Sequence, residues 1–281
     1  MYTNQECLRC IGEDVLTIAK WLLRKRHFAT FEKKIEKYLN DINYRRIPSY
    51  HITHVHRILK SFHPRIERLI ARRRVTNRQV KKYLKKIARP TFAQKIRWAV
   101  WANSLDFRTA GVGYQYKNFA SFYKKLNQQL AVDERRAIIE LINKSKNILY
   151  ILDNVGEIGF DRLPIETISK NRKITCVVRG GIMTSDVTRE DAKYFKIDKV
   201  AKIITSGPDT LGLLKEELSK ELKQALKRCD LVIAKGQANY YFFSEYRKIT
   251  KAKVVNLFTT KCNSVAERFG KKGKVGIATI I

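Results

Sequence analysis

The sequence predicts an α/β protein: an N-terminal helical domain over residues 1–145, then a Rossmann-like three-layer α/β/α domain with a mostly parallel sheet over residues 146–281. Three observations predict it. Apolar residues recur at helical spacing up to about residue 145. From Asn147 onward, short β-branched runs alternate with helical patterns. Each of these runs ends in polar or glycine-rich residues, as strands do where an open parallel sheet presents its ligand crevice.

In the first part, Val15, Ile18 and Leu22 mark one helix, and Phe31, Ile35 and Tyr38 mark a second. Tyr44–Pro48 interrupts the pattern, and His54–Arg74 resumes it with Val55, Ile58, Leu59, Phe62, Ile66 and Ile70. Thr76 or Asn77 reads as the N-cap of a helix over Arg78–Ala88 that Pro90 ends. Further helices are expected over Phe92–Leu105 and from Asp133 or Glu134 through Ile142, with a Gly111-Val112-Gly113 turn between them.

Strands are expected at Ile148–Leu152, Ile174–Val178, Lys202–Thr205, Leu231–Ala234, Val254–Phe258 and Val275–Ile281. Leu211, Leu214, Leu218, Leu222 and Leu226 predict one long amphipathic helix. Acids lie towards its start and Lys227 and Arg228 in its last turn, which complements the helix dipole.

At 281 residues the chain is long enough to bury a large core. No apolar run reaches membrane-spanning length, and Glu6, Arg9, Glu13 and Asp14 break any secretory signal, so a soluble, cytoplasmic protein with no membrane contact is expected. Five cysteines give no disulfide framework. The net charge is +32, with 33 basic against 11 acidic residues in positions 1–146. Such a field attracts polyanions, so nucleic acid is a partner to weigh. Arg65–Arg89 carries eleven Lys or Arg and one acid, but Tyr83 is its only aromatic, so a solvated helix face is preferred to a stacking platform. Asp191 likewise reads as a helix-surface residue.

The chemistry lies at the strand ends. Asp153-Asn154-Val155-Gly156-Glu157 follows the first, Arg179-Gly180-Gly181 and Ser185-Asp186 the second, and Ser206-Gly207-Pro208-Asp209 the third. Lys235-Gly236-Gln237-Ala238-Asn239 follows the fourth, and Thr259–Cys262 the fifth. Hard oxygen donors, glycine loops and a lysine converging on one edge suit a divalent cation and a phosphate. No G-x-G-x-x-G follows the first strand, and no G-x-x-x-x-G-K-[ST] occurs, which disfavours dinucleotide and P-loop enzymes. Asp153-Asn154-Val155 also lacks the second aspartate of a D-x-D phosphatase.

Three of these segments, with Trp101-Ala102-Asn103-Ser104-Leu105-Asp106-Phe107 and Glu6-Cys7-x-x-Cys10, resemble the damage-control phosphatases, once called domain of unknown function 89 and also acidic-residue methyltransferase 1-like. The resemblance implies a metal-dependent phosphatase for small phosphorylated metabolites, sugar phosphates or damaged intermediates, in metabolite repair. It implies Asp153, Asn154 and Asp186 as ligands of a divalent ion (Mg, Mn, Co or Ni). It further implies Lys235 and Asn239 at the substrate phosphate, and Asn103 and Asp106 facing the crevice from the helical domain. Arg179 and the backbone at Gly180 are added as substrate contacts. Ser185 stands where many members have Asn, and Ala102 where many have Gly.

Each of Asp153, Asn154 and Asp186 would serve alone as a helix cap; their coincidence favours the metal site. Glu157 is either a group that orients the ligands or an ordinary first-turn acid. Metal activation of water makes water the preferred attacking group over Asp153. Cys7 and Cys10 are weak evidence for zinc, and His51, His54 and His56 do not share a helix face. Two other activities stand as alternatives: an S-adenosylmethionine-dependent carboxyl methyltransferase and a basic nucleic-acid-binding protein. The oligomeric state is not indicated.

Overall fold

The strand that opens the α/β half is buried on both faces, and its alternation shows how the layers form. In the computed structural model, which describes residues 1–105 and 119–281, Ile148, Tyr150 and Leu152 enter one apolar cluster, while Leu149 and Ile151 enter the other. A strand with two apolar faces needs helices on both sides.

Helices α1 (Gln5–Leu22), α2 (Lys25–Asn40), α3 (Pro48–Lys60), α4 (Ile66–Leu84), α5 (Phe92–Ala102) and α6 (Phe119–Leu126) come first. A two-residue strand β1 (Val132–Asp133) and helix α7 (Arg135–Lys144) follow. The remaining elements are β2 (Asn147–Ile151), α8 (Glu157–Ile168), β3 (Lys173–Val178), α9 (Arg189–Tyr194), β4 (Lys202–Thr205), α10 (Lys220–Arg228), β5 (Leu231–Lys235), α11 (Gln237–Glu245), β6 (Lys253–Thr259), α12 (Asn263–Ala266) and β7 (Gly276–Ile280).

The sheet order is β1-β7-β6-β5-β2-β3-β4, parallel throughout except for the antiparallel β6–β7 pair. This is the predicted α/β class. The chain runs outward from β2 through β3 to β4, then returns to place β5 on the other side of β2. Ile151 is therefore in register with both Val177 of β3 and Ala234 of β5. The crevice between the β2 and β5 carboxyl ends is the topological switch point where α/β sheets hold ligands.

The helices before residue 145 divide between the two faces. Residues of α1–α3 pack with α10 and α11 in one cluster, and residues of α5–α7 pack with α8 in the other. Helix α4 supplies Leu69 to the first and Val80 to the second. Strand β1, not expected from sequence, pairs with β7 through Val132–Ile277 and Asp133–Ala278.

Two helix expectations are corrected. Thr76 and Asn77 do not cap a new helix; they are buried in the middle of α4, which runs unbroken to Leu84. The leucine-rich stretch is not one helix: Ser219 caps α10 by accepting from Leu222 N–H, while Leu211 and Leu214 are buried in the preceding loop. Helical spacing of leucines cannot distinguish a helix from a buried loop leading into one. The Gly111–Gly113 turn lies outside the described residues. Lys81, Lys82, Lys85 and Lys86 are exposed. Among the described residues no helix is long and apolar enough to cross a membrane.

Candidate active site

The two loops that follow β2 and β3 are laced together by the backbone. Val187 N–H donates to Asp153 C=O at 2.9 Å, Val155 N–H donates to Ser185 C=O at 2.8 Å, and Asn154 and Asp186 form an antiparallel bridge. Asp153 and Asn154, after β2, and Asp186, in the loop after β3, are thus adjacent. All three are buried. Ser185 Oγ donates to Asn154 Oδ1 at 2.8 Å, and Asn154 Nδ2 donates to Asp153 Oδ2 at 2.7 Å.

Behind this pair runs a chain of wholly buried groups. Asn103, at the end of α5, donates from Nδ2 to Asp153 Oδ2 (2.9 Å) and to Glu157 Oε2 (2.8 Å), while its Oδ1 accepts from Thr259 N–H at 3.1 Å. Glu157 begins α8, and its Oε1 accepts from Lys235 Nζ at 2.7 Å. Lys235 Nζ also lies 2.8 Å from Asp161 Oδ1, one helical turn beyond Glu157, and Tyr150 O–H donates to the same oxygen. Lys235 and Asn239, expected at the substrate phosphate, are fully enclosed: the Asn239 amide donates to Lys235 C=O and its Oδ1 accepts from Arg179. Gly236 adopts φ +80°, and a Cβ there would collide with the Asp153 carboxylate. Only glycine combines that conformation with so close an approach.

Arg179 fills the gap between the β2, β3 and β5 ends. Its Nε lies 3.4 Å from Asp186 Oδ1 and its Nη2 donates at 3.4 Å to Leu152 C=O and Asn239 Oδ1. Its Nη1 is buried without a hydrogen-bond partner among the described residues. Gly180 N–H faces Pro208 C=O at 3.4 Å, and Gly212 N–H donates to Asp186 Oδ1 at 3.3 Å. Asp106 lies outside the described residues.

Helix α4 supports both loops from the N-terminal half. Arg73 Nη1 donates to Thr184 C=O at 2.6 Å and Asp186 C=O at 2.9 Å, and its Nη2 pairs with Asp191. Asn77 Nδ2 donates to Asp191 Oδ1 at 2.8 Å, and its Oδ1 accepts from Gly156 N–H at 2.9 Å. Asp191 is therefore not a surface residue; it also receives Thr188 N–H in a capping box. Sequence reasoning missed Arg73, Asn77 and Asp161. The i, i+4 spacing of Glu157 and Asp161 on one helix was the available signal for the last. Arg73, inside a run of arginines, carried none.

The electrostatics fit a cation. Burial, then the neighbouring Glu157 carboxylate, push the Asp153 carboxyl up to about 7, against the pull of the Lys261 ammonium. Glu157 and Asp161 are raised first by burial, Lys235 opposing in both. Burial disfavours the Lys235 ammonium, but Asp161 and Glu157 outweigh it and hold the proton above the ordinary lysine range. One ammonium cannot neutralise three carboxylates in a row. Burial and mutual repulsion thus push the carboxyls of Asp153, Glu157 and Asp161 toward the neutral form, a penalty that a bound divalent ion would relieve. Among the described residues no three His, Cys, Asp or Glu side chains group as a metal site; the set here is two carboxylates and one amide.

The match to known proteins spans nearly the whole chain. The family model described as the damage-control phosphatase ARMT1-like domain matches residues 3–275. The chain is 31% identical to an uncharacterised protein of Methanocaldococcus jannaschii, over 94% of this chain and 91% of that one. It is 28% identical to a protein of Pyrococcus horikoshii named damage-control phosphatase, over 95% and 93% of the two chains. The crystal structure of a domain-of-unknown-function-89 protein from Pyrococcus horikoshii superposes with a TM-score of 0.87 at 24% identity, covering 99% of each chain, which shows the same fold. With the family model matching residues 3 to 275, the chain belongs to the damage-control phosphatase ARMT1-like family.

Proposed function

We propose that this protein is a divalent-metal-dependent phosphatase acting on small phosphorylated metabolites. The observation that carries the reading is the juxtaposition, at the β2–β5 switch point, of Asp153 and Asp186 with the guanidinium of Arg179, whose Nη1 has no hydrogen-bond partner among the described residues. Family membership and the names of the relatives support it.

Asp153, Asp186 and Asn154 Oδ1 would hold a Mg, Mn, Co or Ni ion, which when bound neutralises charge on the phosphoryl oxygens and activates water. Arg179 Nη1 donates to a phosphate oxygen, the role for which a buried guanidinium fork is suited. Asn103 and Asn154 both donate to Asp153 Oδ2, fixing the carboxylate's orientation. Glu157, Lys235 and Asp161 form the charged base beneath and act through Asn103 and Asn154.

The test is hydrolysis of p-nitrophenyl phosphate by purified protein with each of the four cations. Turnover is expected with at least one cation and absent in chelator. Asp153→Asn is expected to lower kcat by a factor on the order of 10²–10³, the usual cost of losing a fixed transition-state electrostatic contact. Metal-independent turnover, or full activity in that variant, would overturn the reading.

A further inference from the structure

Helix α4 has two faces of different character. Arg73, Thr76, Asn77 and Val80 are buried, and Arg73 and Asn77 hold the loops of the candidate site. On the opposite face Arg74, Arg78, Lys81, Lys82 and Lys85 are exposed, at the helical spacing that lines side chains up in one row. Among the described residues none of these five forms an ion pair with an acid, and Glu67 is the one acid within the helix. Tyr83, the aromatic inside this basic run, packs against Phe122 with ring centres 5.8 Å apart. Tertiary structure supplies two other rings. Four large hydrophobic side chains are exposed among the described residues, and two of them, Trp21 and Tyr194, flank α4. At its start, Arg65 Nη2 and Arg68 Nη1 donate to Trp21 C=O at 3.2 and 3.0 Å, and Arg24, Lys25 and Arg26 are exposed at the start of α2. Near its end, Lys81 Nζ lies 4.8 Å from the centre of the Tyr194 ring, and Lys193 and Lys196 beside that tyrosine in sequence are exposed.

We propose that this face binds single-stranded nucleic acid, with backbone phosphates along the basic row and unpaired bases stacked on Trp21 and Tyr194. This function is additional to the phosphatase reading and does not rest on it. Arg65 and Lys81 are 16 positions apart, about 24 Å of helix, so the two rings stand at opposite ends of one strip. A charged track with aromatic platforms is the combination that holds single strands without regard to sequence. A duplex keeps its bases stacked inside and would engage the phosphates alone. A membrane surface fits less well. Interfacial helices bury an apolar face in lipid, whereas Leu69 and Val80 of α4 already lie in the protein core.

The field on this face is nearly of one sign. Glu67 on α4 and Glu190 and Asp198 in and just after α9 are the exposed acids of these two segments, far outnumbered by exposed Lys and Arg. Each phosphate neutralised on a single strand releases condensed counterions, which lowers the slope of log K against log salt by about 0.7. Five contacts along the row therefore predict a slope of about −3.5. Stacking on the two rings is independent of salt, so the contributions of charge and aromatics can be separated.

The experiment is fluorescence anisotropy of the full chain with a labelled single-stranded RNA of mixed sequence, about 16 nucleotides long, over a range of salt. Binding should show the slope given above. Lys81→Gln, Lys82→Gln and Lys85→Gln together should weaken it and make the slope shallower by about 2, with turnover of p-nitrophenyl phosphate unchanged. Trp21→Ala or Tyr194→Ala should weaken binding roughly five- to a hundredfold at constant slope, and Trp21→Phe should keep most of the affinity. Single-stranded DNA of the same sequence should compete, because the face reads phosphates and base faces rather than the 2′-hydroxyl. The matching duplex should bind more weakly and ignore both aromatic replacements. No binding at low salt, a slope unmoved by the three lysine replacements, or single strand and duplex bound alike would each overturn the proposal. So would loss of binding in Asp153→Asn, which would place the strand in the crevice, or preferential capture by phosphatidylserine vesicles.

Discussion

Arg73, on α4, holds the main-chain oxygen of Asp186, on the loop after β3, at 2.9 Å, although 113 positions separate them. The same guanidinium nitrogen holds Thr184 C=O at 2.6 Å, and the other pairs with buried Asp191. The helix of the N-terminal half thus sets the height of a proposed metal ligand in the C-terminal half. Arg73→Ala should cost about 3–5 kcal/mol in urea unfolding, because Asp191 is left buried and unpaired. Arg73→Ala with Asp191→Asn should recover part of that stability without recovering kcat, since the Asp186 carbonyl remains unsupported. Recovery of both would refute the positional role.

Lys235 is held between Glu157 and Asp161. Lys235→Met should destabilise by about 3–5 kcal/mol, and Asp161→Asn in the same chain should partly offset it. The check is a double-mutant cycle by chemical denaturation. A lysine that served the substrate alone would show no coupling to Asp161.

The carboxyls of Asp153, Glu157 and Asp161 are buried together, and each is pushed toward its neutral form. Adding Mn²⁺ or Mg²⁺ at 100 times its Kd should therefore stabilise the fold by about 2.7 kcal/mol, and chelator should remove the gain. Asp153→Asn should abolish the shift. Thermal unfolding monitored with and without cation decides it.

Asn256 lies fully buried in β6, with neither side-chain polar atom hydrogen-bonded among the described residues. It shares a sheet face with Val254 and Phe258, which belong to the α1–α3 side cluster. Replacing it with Leu removes two unmet hydrogen-bonding groups and should raise stability by about 1–3 kcal/mol. Calorimetry showing a lower midpoint for Asn256→Leu would contradict this.

His51 is buried, and its pKa is lowered chiefly by that burial. Its Nε2–H donates to Asn43 C=O at 2.9 Å, so Nδ1, 2.8 Å from Tyr38 Oη, is left to accept in the neutral ring. His54 and Arg46 nearby add like charge. A depressed folded pKa means that the contribution is complete above the unfolded value, about 6.5, and is lost as pH falls below it. The wild type should lose stability from pH 7.5 to 5.5 more steeply than His51→Gln. Parallel profiles of urea midpoint against pH would refute the assignment.

The sheet was legible because β2, β3, β4, β5 and β6 are short apolar runs closed by polar residues, and their observed bounds differ from the expected ones by a residue or so. Strand β1 was not, since two residues carry no periodicity. The split of Leu211–Leu226 into loop and helix was equally hidden, because burial against other elements, not spacing, decided it.

At the site, local sequence set which donors exist and placed each at a strand end or in the loop that follows it: Asp153 and Asn154, Arg179, Asp186, Lys235. Strand ends are local events, set by where apolar residues give way to glycine and carboxylates. Tertiary structure alone decided which donors face the crevice and which lie beneath it. Lys235 and Asn239 point into the base because β5 returns beside β2, bringing Lys235 against Glu157 and Asp161 from α8. Arg73 and Asn77 brace the loops because α4 packs against α8 and so passes the strand ends. No pattern within a basic helix could single them out, since their partners are main-chain groups and an aspartate more than 75 positions away.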